Sequence, residues 1–269
     1  MFSIFVAALA LGGPKPSCCQ VMANMTLDPA FRALHEAPVA FNFVPEYGHM
    51  GKVAGADAYI VPASPHSHGG VVMIHEWWGL SNQIKATAEK LHEATGDGVV
   101  AVDLYGGKVA TTADAAAAAM RAVNEEAATA QLKATIDAIL HEHVLGESVR
   151  KVGTVGYCFG GGYSLKAALA GGSDVSACVM YYGYPELSPQ KLEALHAPVL
   201  GNFANKDGFI TPSVVDQFVT AMHAAGKPLT VYRYDADHAF ANPSNPHYDQ
   251  KATALAWRRT VAFFKKHLD

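Results

Sequence analysis

Beyond residue 70, short apolar runs alternate with longer amphipathic stretches, and that alternation restricts the chain to few architectures. The runs cover 71–75, 99–104, 152–155, 175–182, 199–203 and 230–234. A strand buried on both faces reads as a continuous apolar run, and a helix must cross between parallel neighbours. The pattern therefore predicts an α/β fold with a mostly parallel central sheet flanked by helices. An opening pair of strands is expected at 39–44 and 56–61, with Gly48, Gly51 and Gly55 between them.

The helices are placed by apolar spacing and start signals. Ser81 suits the N-cap of a helix over 84–94, and Pro212 suits the first turn of one running to Ala225. Leu132, Ile136, Ile139 and Leu140 form one apolar stripe; Trp257, Val261, Phe264 and Leu268 form another near the C-terminus. Ala115 to Ala119, flanked by Asp114 and Arg121, reads as the start of a well-formed helix.

With 269 residues, 50% of them hydrophobic and 16% charged, the chain can fill one large core. One domain is expected over 37–269, after a leader and extension at 1–36. Phe2 to Leu11 is an apolar run followed by Gly12, Gly13 and Pro14, the outline of a signal-peptide core, although no Lys or Arg precedes it. Export and a cytoplasmic location both stay open, and the run is too short to span a bilayer. The net charge of −4, with 20 scattered Lys and Arg, argues against nucleic acid or an anionic membrane as partner and for a small molecule bound by a monomer. Four cysteines without a CxxC give neither a disulfide framework nor a zinc ribbon. Cys178, inside an apolar run, reads as a small core residue.

Cys158 reads differently. In KVGTVGYCFGGGYSLKAALA, strand, tight turn and helix follow one another, and Gly156 and Gly160 flank the cysteine at two residues on either side. This is the G-x-nucleophile-x-G arrangement with Cys in place of Ser. The following helix N-terminus favours a thiolate, and the Phe159 amide is aimed where a tetrahedral oxyanion would form. A buried structural cysteine in a glycine-rich turn is the plainer reading, so the motif needs partners.

In α/β-hydrolases the acid and base follow the nucleophile in the order Asp, His, each after a later strand. Asp207 follows the run 199–203 and His238 follows 230–234. Asp235 and Asp237 also neighbour His238 but are too close in sequence to hold its ring easily from the far side. The run at 71–75 ends in HEWWGLS, on the sheet edge where ligands bind in such folds. Glu76, among tryptophans, should have a raised pKa and could accept a thiol proton; the Trp77 amide is the natural second oxyanion donor. The start of HExxH fails because position 79 is Gly, and His141-Glu-His143 does not share a helix face, so no metal or other cofactor is expected.

Together HEWWGLS, DLYGGK at 103–108, GYCFGG at 156–161, NKDGFITP at 205–212 and DHAFANP at 237–243, followed by AWRRTVAFFKK, resemble the dienelactone hydrolase (carboxymethylenebutenolidase) family. The resemblance implies a single-domain α/β-hydrolase fold without cofactor, acting on ester or lactone bonds through an acyl-enzyme. By similarity the triad is Cys158, His238 and Asp207, with Glu76 interacting with the resting cysteine as a fourth catalytic residue. Tyr105 would shape the pocket. Founding members carry two arginines that hold the substrate carboxylate; here those positions are Gly107 and Asn242. The aromatic residues Trp77, Trp78, Tyr105, Phe159, Phe209 and Phe240, with Asn242, suggest a substrate pocket for small, largely apolar acyl groups. Two other readings stay open: a thiol hydrolase or amidase of the Glu-Cys-His kind, and a non-catalytic binding module on this fold.

Overall fold

The computed structural model describes residue 21, residues 24–35 and residues 39–269. The apolar run at 2–11, the pair Cys18 and Cys19, and the expected domain boundary at 36/37 lie outside the described residues. Among the described residues eight strands form one sheet: β1 (His49–Val53), β2 (Ala56–Val61), β3 (Gly69–Ile74), β4 (Gly98–Val102), β5 (Lys151–Tyr157), β6 (Val175–Tyr181), β7 (Val199–Ala204) and β8 (Leu229–Tyr234). Their order is β1-β2-β4-β3-β5-β6-β7-β8. β1/β2 and β2/β4 pair antiparallel, and every later pair is parallel. The mostly parallel sheet is thus as the apolar runs require.

The opening hairpin differs from expectation. Residues 39–44 form no strand, and Val39 and Val44 are exposed. The turn lies at Ala54 and Gly55, both at positive φ, which is the primed two-residue connection whose twist suits a hairpin. That turn pairs Val53 with Ala56 and so makes 49–53, not 39–44, the partner of β2. The loop entering β1 is fixed instead by Glu89, whose Oε1 accepts the Tyr47 and Gly48 amides at 2.9 Å each.

The helices are α1 (Pro29–Leu34), α2 (Asn82–Thr95), α3 (Ala113–Ala122), α4 (Glu125–His141), α5 (Phe159–Gly171), α6 (Pro189–Leu192), α7 (Pro212–Ala224) and α8 (Gln250–Leu268). Ser81 takes the N-cap of α2, though its side chain makes no capping bond. Thr112 caps α3 ahead of the alanine run, and Thr211 with Pro212 starts α7. On α8 the fully buried face is Ala256, Thr260, Phe264 and Leu268, so Trp257 and Val261 sit at its margin. Among the described residues no helix is long and apolar enough to cross a membrane. Cys178 is fully buried, and burial pushes its thiol up to about 11, as befits an inert core residue.

Helix α1 has a local cause in its own sequence. Asp28 is its N-cap, accepting the Ala30 amide at 2.8 Å, and Pro29 occupies the first turn, where no amide partner is needed. Arg32 pairs with Asp114 of α3, and Arg121 of α3 donates to the Thr26 hydroxyl at 2.9 Å. These contacts strap residues 24–35 across the carboxyl edge of the sheet, with Phe31 and His35 buried.

Candidate active site

The centre of the site is the turn between β5 and α5. Cys158 has φ 52° and ψ −113°, outside the regions open to most side chains. The flanking glycines explain how the turn is possible. A Cβ on Gly156 would overlap the Gly160 carbonyl oxygen, and one on Gly160 would run into the carbonyl oxygens of Ile74 and His75 at the end of β3. Only glycine lets α5 start this close to β3 and β5. Phe159 is the first residue of α5, so its amide belongs to the turn that the helix leaves without internal partners. Trp77, two residues after His75 and three after the end of β3, is fully buried.

The loops after β7 and β8 bring Asp207 and His238 to the same place. His238 Nε2 lies 3.2 Å from Cys158 Sγ. Its Nδ1 donates to Asp207 Oδ2 at 2.6 Å, which fixes the ring's orientation and turns Nε2 toward sulfur. Asp207 Oδ1 accepts the Phe209 and Ile210 amides, both at 2.9 Å. Burial opposes the charge on Asp207, but His238 and those amides outweigh it and hold the carboxyl below its ordinary range. Burial likewise opposes a charged His238, but Asp207 and Cys158 hold it well above the ordinary histidine range.

Glu76 is buried beside this row. Tyr182 donates to its Oε1 at 3.0 Å and Asn242 Nδ2 to its Oε2 at 2.5 Å. Burial raises its pKa, and the two donors and His238 only partly offset that. Among the described residues its hydrogen-bond partners are therefore Tyr182 and Asn242. Asn242 also accepts the Ser244 amide at 2.8 Å, so its side chain is committed at both ends. His75 is wholly buried: its Nδ1 donates to the Glu76 carbonyl at 2.5 Å and its Nε2 accepts the Leu104 amide at 3.1 Å. Burial lowers its pKa, so it is a neutral brace between two loops.

The expected aromatic residues surround the centre unevenly. Tyr105 packs edge-on against His75 at 4.6 Å and near Phe159 at 5.5 Å. Its hydroxyl is buried without a partner among the described residues. Trp78 stacks edge-on against Trp77, Phe240 against Tyr182, and Phe209 against Phe31. Gly107 stands in the loop after β4 at φ 84°, its amide donating to Asp103 at 2.5 Å.

Three neighbours were not picked out in the sequence. Tyr182 reads there as the end of a core strand; in fact β6 stops at Tyr181, and Tyr182 turns out at φ 37° to reach Glu76. Phe31 and His35 arrive from the strap. His35 stacks on Phe31 at 4.1 Å, lies 4.4 Å from the Trp77 ring and 5.0 Å from the His238 ring. Its Nε2 is 3.8 Å from Cys158 Sγ. Burial, and next the neighbouring His238, push its pKa down to about 3, so the ring is neutral. The Asp28-Pro29 helix start ahead of Phe31 is the signal that could have shown it. Under this cover Cys158 is only 1% exposed.

The dienelactone hydrolase family model matches residues 56–268. Among curated proteins, the chain is 32% identical over 206 residues to protein usf of Aquifex pyrophilus, covering 74% of this chain and 88% of that one. It is 29% identical to carboxymethylenebutenolidase 1 of Cupriavidus pinatubonensis, covering 76% and 88%. Among solved structures, the dienelactone hydrolase of Anabaena variabilis superposes with a TM-score of 0.60 at 23% identity, covering 83% of this chain and all of that one. A dienelactone hydrolase-like promiscuous phosphotriesterase from metagenomic libraries gives 0.69 at 19% identity, covering 82% and 98%.

Proposed function

This chain belongs to the dienelactone hydrolase family, and we propose that it hydrolyses small carboxylic esters or lactones through an acyl-enzyme on Cys158. The observation that supports this most is one imidazole placed between sulfur and carboxylate: His238 faces Cys158 Sγ at 3.2 Å and Asp207 at 2.6 Å. That arrangement suits proton transfer from a thiol as sulfur attacks a carbonyl, with Asp207 orienting the ring and stabilising its charge. The carbonyl oxygen, gaining charge, is taken by the Phe159 amide at the α5 N-terminus and the Trp77 amide. His238 returns the proton to the leaving alcohol, a thioester remains on Cys158, and a water deprotonated by the same ring hydrolyses it.

Glu76 acts as the second acid-base group, its carboxyl raised by burial toward the working range and positioned by Tyr182 and Asn242. Tyr105, with a free buried hydroxyl, is a donor for the bound substrate. Trp78, Phe209 and Phe240 line the acyl pocket, and Asn242 borders it while holding Glu76. The preferred substrates are neutral. Gly107 and Asn242 stand where founding members carry substrate-binding arginines, and an amide already committed to Glu76 cannot replace a bidentate cation. Because His35 and Phe31 cover the thiol, the strap moves aside before substrate enters.

A screen of p-nitrophenyl esters and simple lactones on the wild type and on Cys158→Ala tests the reading. Turnover confined to the wild type supports it; equal turnover in both removes Cys158 from the chemistry.

A further inference from the structure

Three ligand atoms converge at the thiol: Cys158 Sγ, His238 Nε2 and His35 Nε2 all lie within 4.8 Å of one another, and all three residues are buried. We infer that this trio binds one thiophilic cation of the zinc type, and that the bound ion clasps the N-terminal strap over the nucleophile and blocks it. The ion would occupy the same thiol and imidazole as the hydrolytic role proposed above, but its binding depends only on the geometry of these residues and not on that reading.

The two sulfur–nitrogen distances fit an ion of that size. Tetrahedral zinc, with about 2.3 Å to sulfur and about 2.0 Å to nitrogen, sets sulfur and nitrogen about 3.5 Å apart. The two observed separations, 3.2 Å to His238 and 3.8 Å to His35, bracket that value. Both rings also present the correct nitrogen. His238 Nδ1 donates to Asp207, and His35 Nδ1 donates to the Phe31 carbonyl at 2.7 Å, so each Nε2 is the nitrogen that faces inward. A carboxylate or a carbonyl behind a ligating histidine is the usual outer support of a metal site. The single proton shared by sulfur and His238 leaves the Nε2 lone pair of neutral His35 without a partner there, whereas a cation accepts all three donor atoms at once.

The proton balance is the same for either form of the resting pair. Whether the proton sits on sulfur or on His238, the metal-bound state holds a thiolate and a neutral imidazole, so binding releases one proton to solvent. The strap residue makes the difference. Cys158 and His238 offer two ligands, and His35 supplies the third only while residues 29–35 are docked.

The full-length chain, stripped with a chelator, is titrated with Zn²⁺ while binding, proton release and alkylation of Cys158 are followed. A parallel Co²⁺ titration reads the thiolate-to-metal charge-transfer band. We expect one ion and one proton per chain, protection of Cys158, and reversal by chelator. His35→Ala should weaken binding at least about tenfold, since loss of even an outer-shell partner costs about 10- to 100-fold. His35→Cys, which restores a ligand at that position, should recover tight binding and a stronger charge-transfer band. No binding by the wild type, or equal affinity and an unchanged band in His35→Ala, would overturn the inference. These readouts need no turnover: if the chain binds zinc but hydrolyses no ester, the proposed function fails and this site stands.

Discussion

Gly156 and Gly160 touch so closely across the turn at Cys158 that a methyl group on the first would overlap the carbonyl oxygen of the second. Neither clash involves a side chain that could swing away; the obstacles are backbone atoms of α5 and of the end of β3. Gly160→Ala should therefore cost more than the roughly 1–3 kcal/mol of ordinary overpacking. In thermal unfolding this means a melting temperature lower by roughly 5 °C or more. An unchanged melting temperature would show that the turn relaxes and that the glycines serve another purpose.

Asp207 accepts the ring proton of His238 and two backbone amides, so its replacement by Asn presents a donor to a donor. Asp207→Asn should lower kcat on the order of 10³- to 10⁴-fold while leaving secondary structure by circular dichroism unchanged. A loss of less than tenfold would mean that His238 keeps its orientation without the carboxylate.

Much of this could be read in the sequence, and the limits have physical causes. Buried parallel strands write themselves as apolar runs, so β3 to β8 were placed within a residue or two, and the turn at Cys158 announced itself by its glycines. The positions of Asp207 and His238 followed from strand order alone. The opening hairpin escapes the apolar pattern because Val39 and Val44, though apolar, are exposed, and the register is set by the positive-φ pair Ala54 and Gly55. Tyr182 was hidden because a single backbone dihedral, not its place in an apolar run, sends it to Glu76. The strap is illegible for a similar reason: six helical residues carry little periodicity, and what buries Phe31 and His35 is tertiary packing against Trp77 and Phe209.

Glu76 links stability to activity in opposite senses. Burial raises its pKa, so the native state favours the neutral acid. The associated stability is present below the unfolded-state pKa near 4.5 and is lost as pH rises through the higher native value. Gln cannot ionise. The melting temperature of Glu76→Gln relative to wild type should thus become more favourable as pH rises above the unfolded-state value of 4.5, while turnover falls about 10²- to 10⁴-fold. A melting difference that does not change with pH, with unaltered kinetics, would make Glu76 a bystander.

The strap should both stabilise the domain and shield it. Burial of Phe31 alone contributes about 1.5–3 kcal/mol. Removing residues 1–35 should lower the melting temperature yet speed alkylation of Cys158, whereas removing only residues 1–20 should change neither appreciably. Equal alkylation rates in all three proteins would place the cover elsewhere.

Substrate charge gives a further test. Neutral short-chain esters and lactones should be hydrolysed with higher kcat/KM than dienelactone carboxylates, because Gly107 and Asn242 provide no cation. The wild type's relative kcat/KM for the two classes decides it. A preference for the carboxylates would point to Lys108, beside Gly107, as the anchor.

The most direct measurement is intact-protein mass spectrometry of the chain quenched during turnover of a slow ester, followed by peptide mapping. The account predicts an added acyl mass on the peptide holding Cys158, absent from Cys158→Ala, which should also have lost turnover. An acyl group on another residue, or full activity in Cys158→Ala, would contradict it.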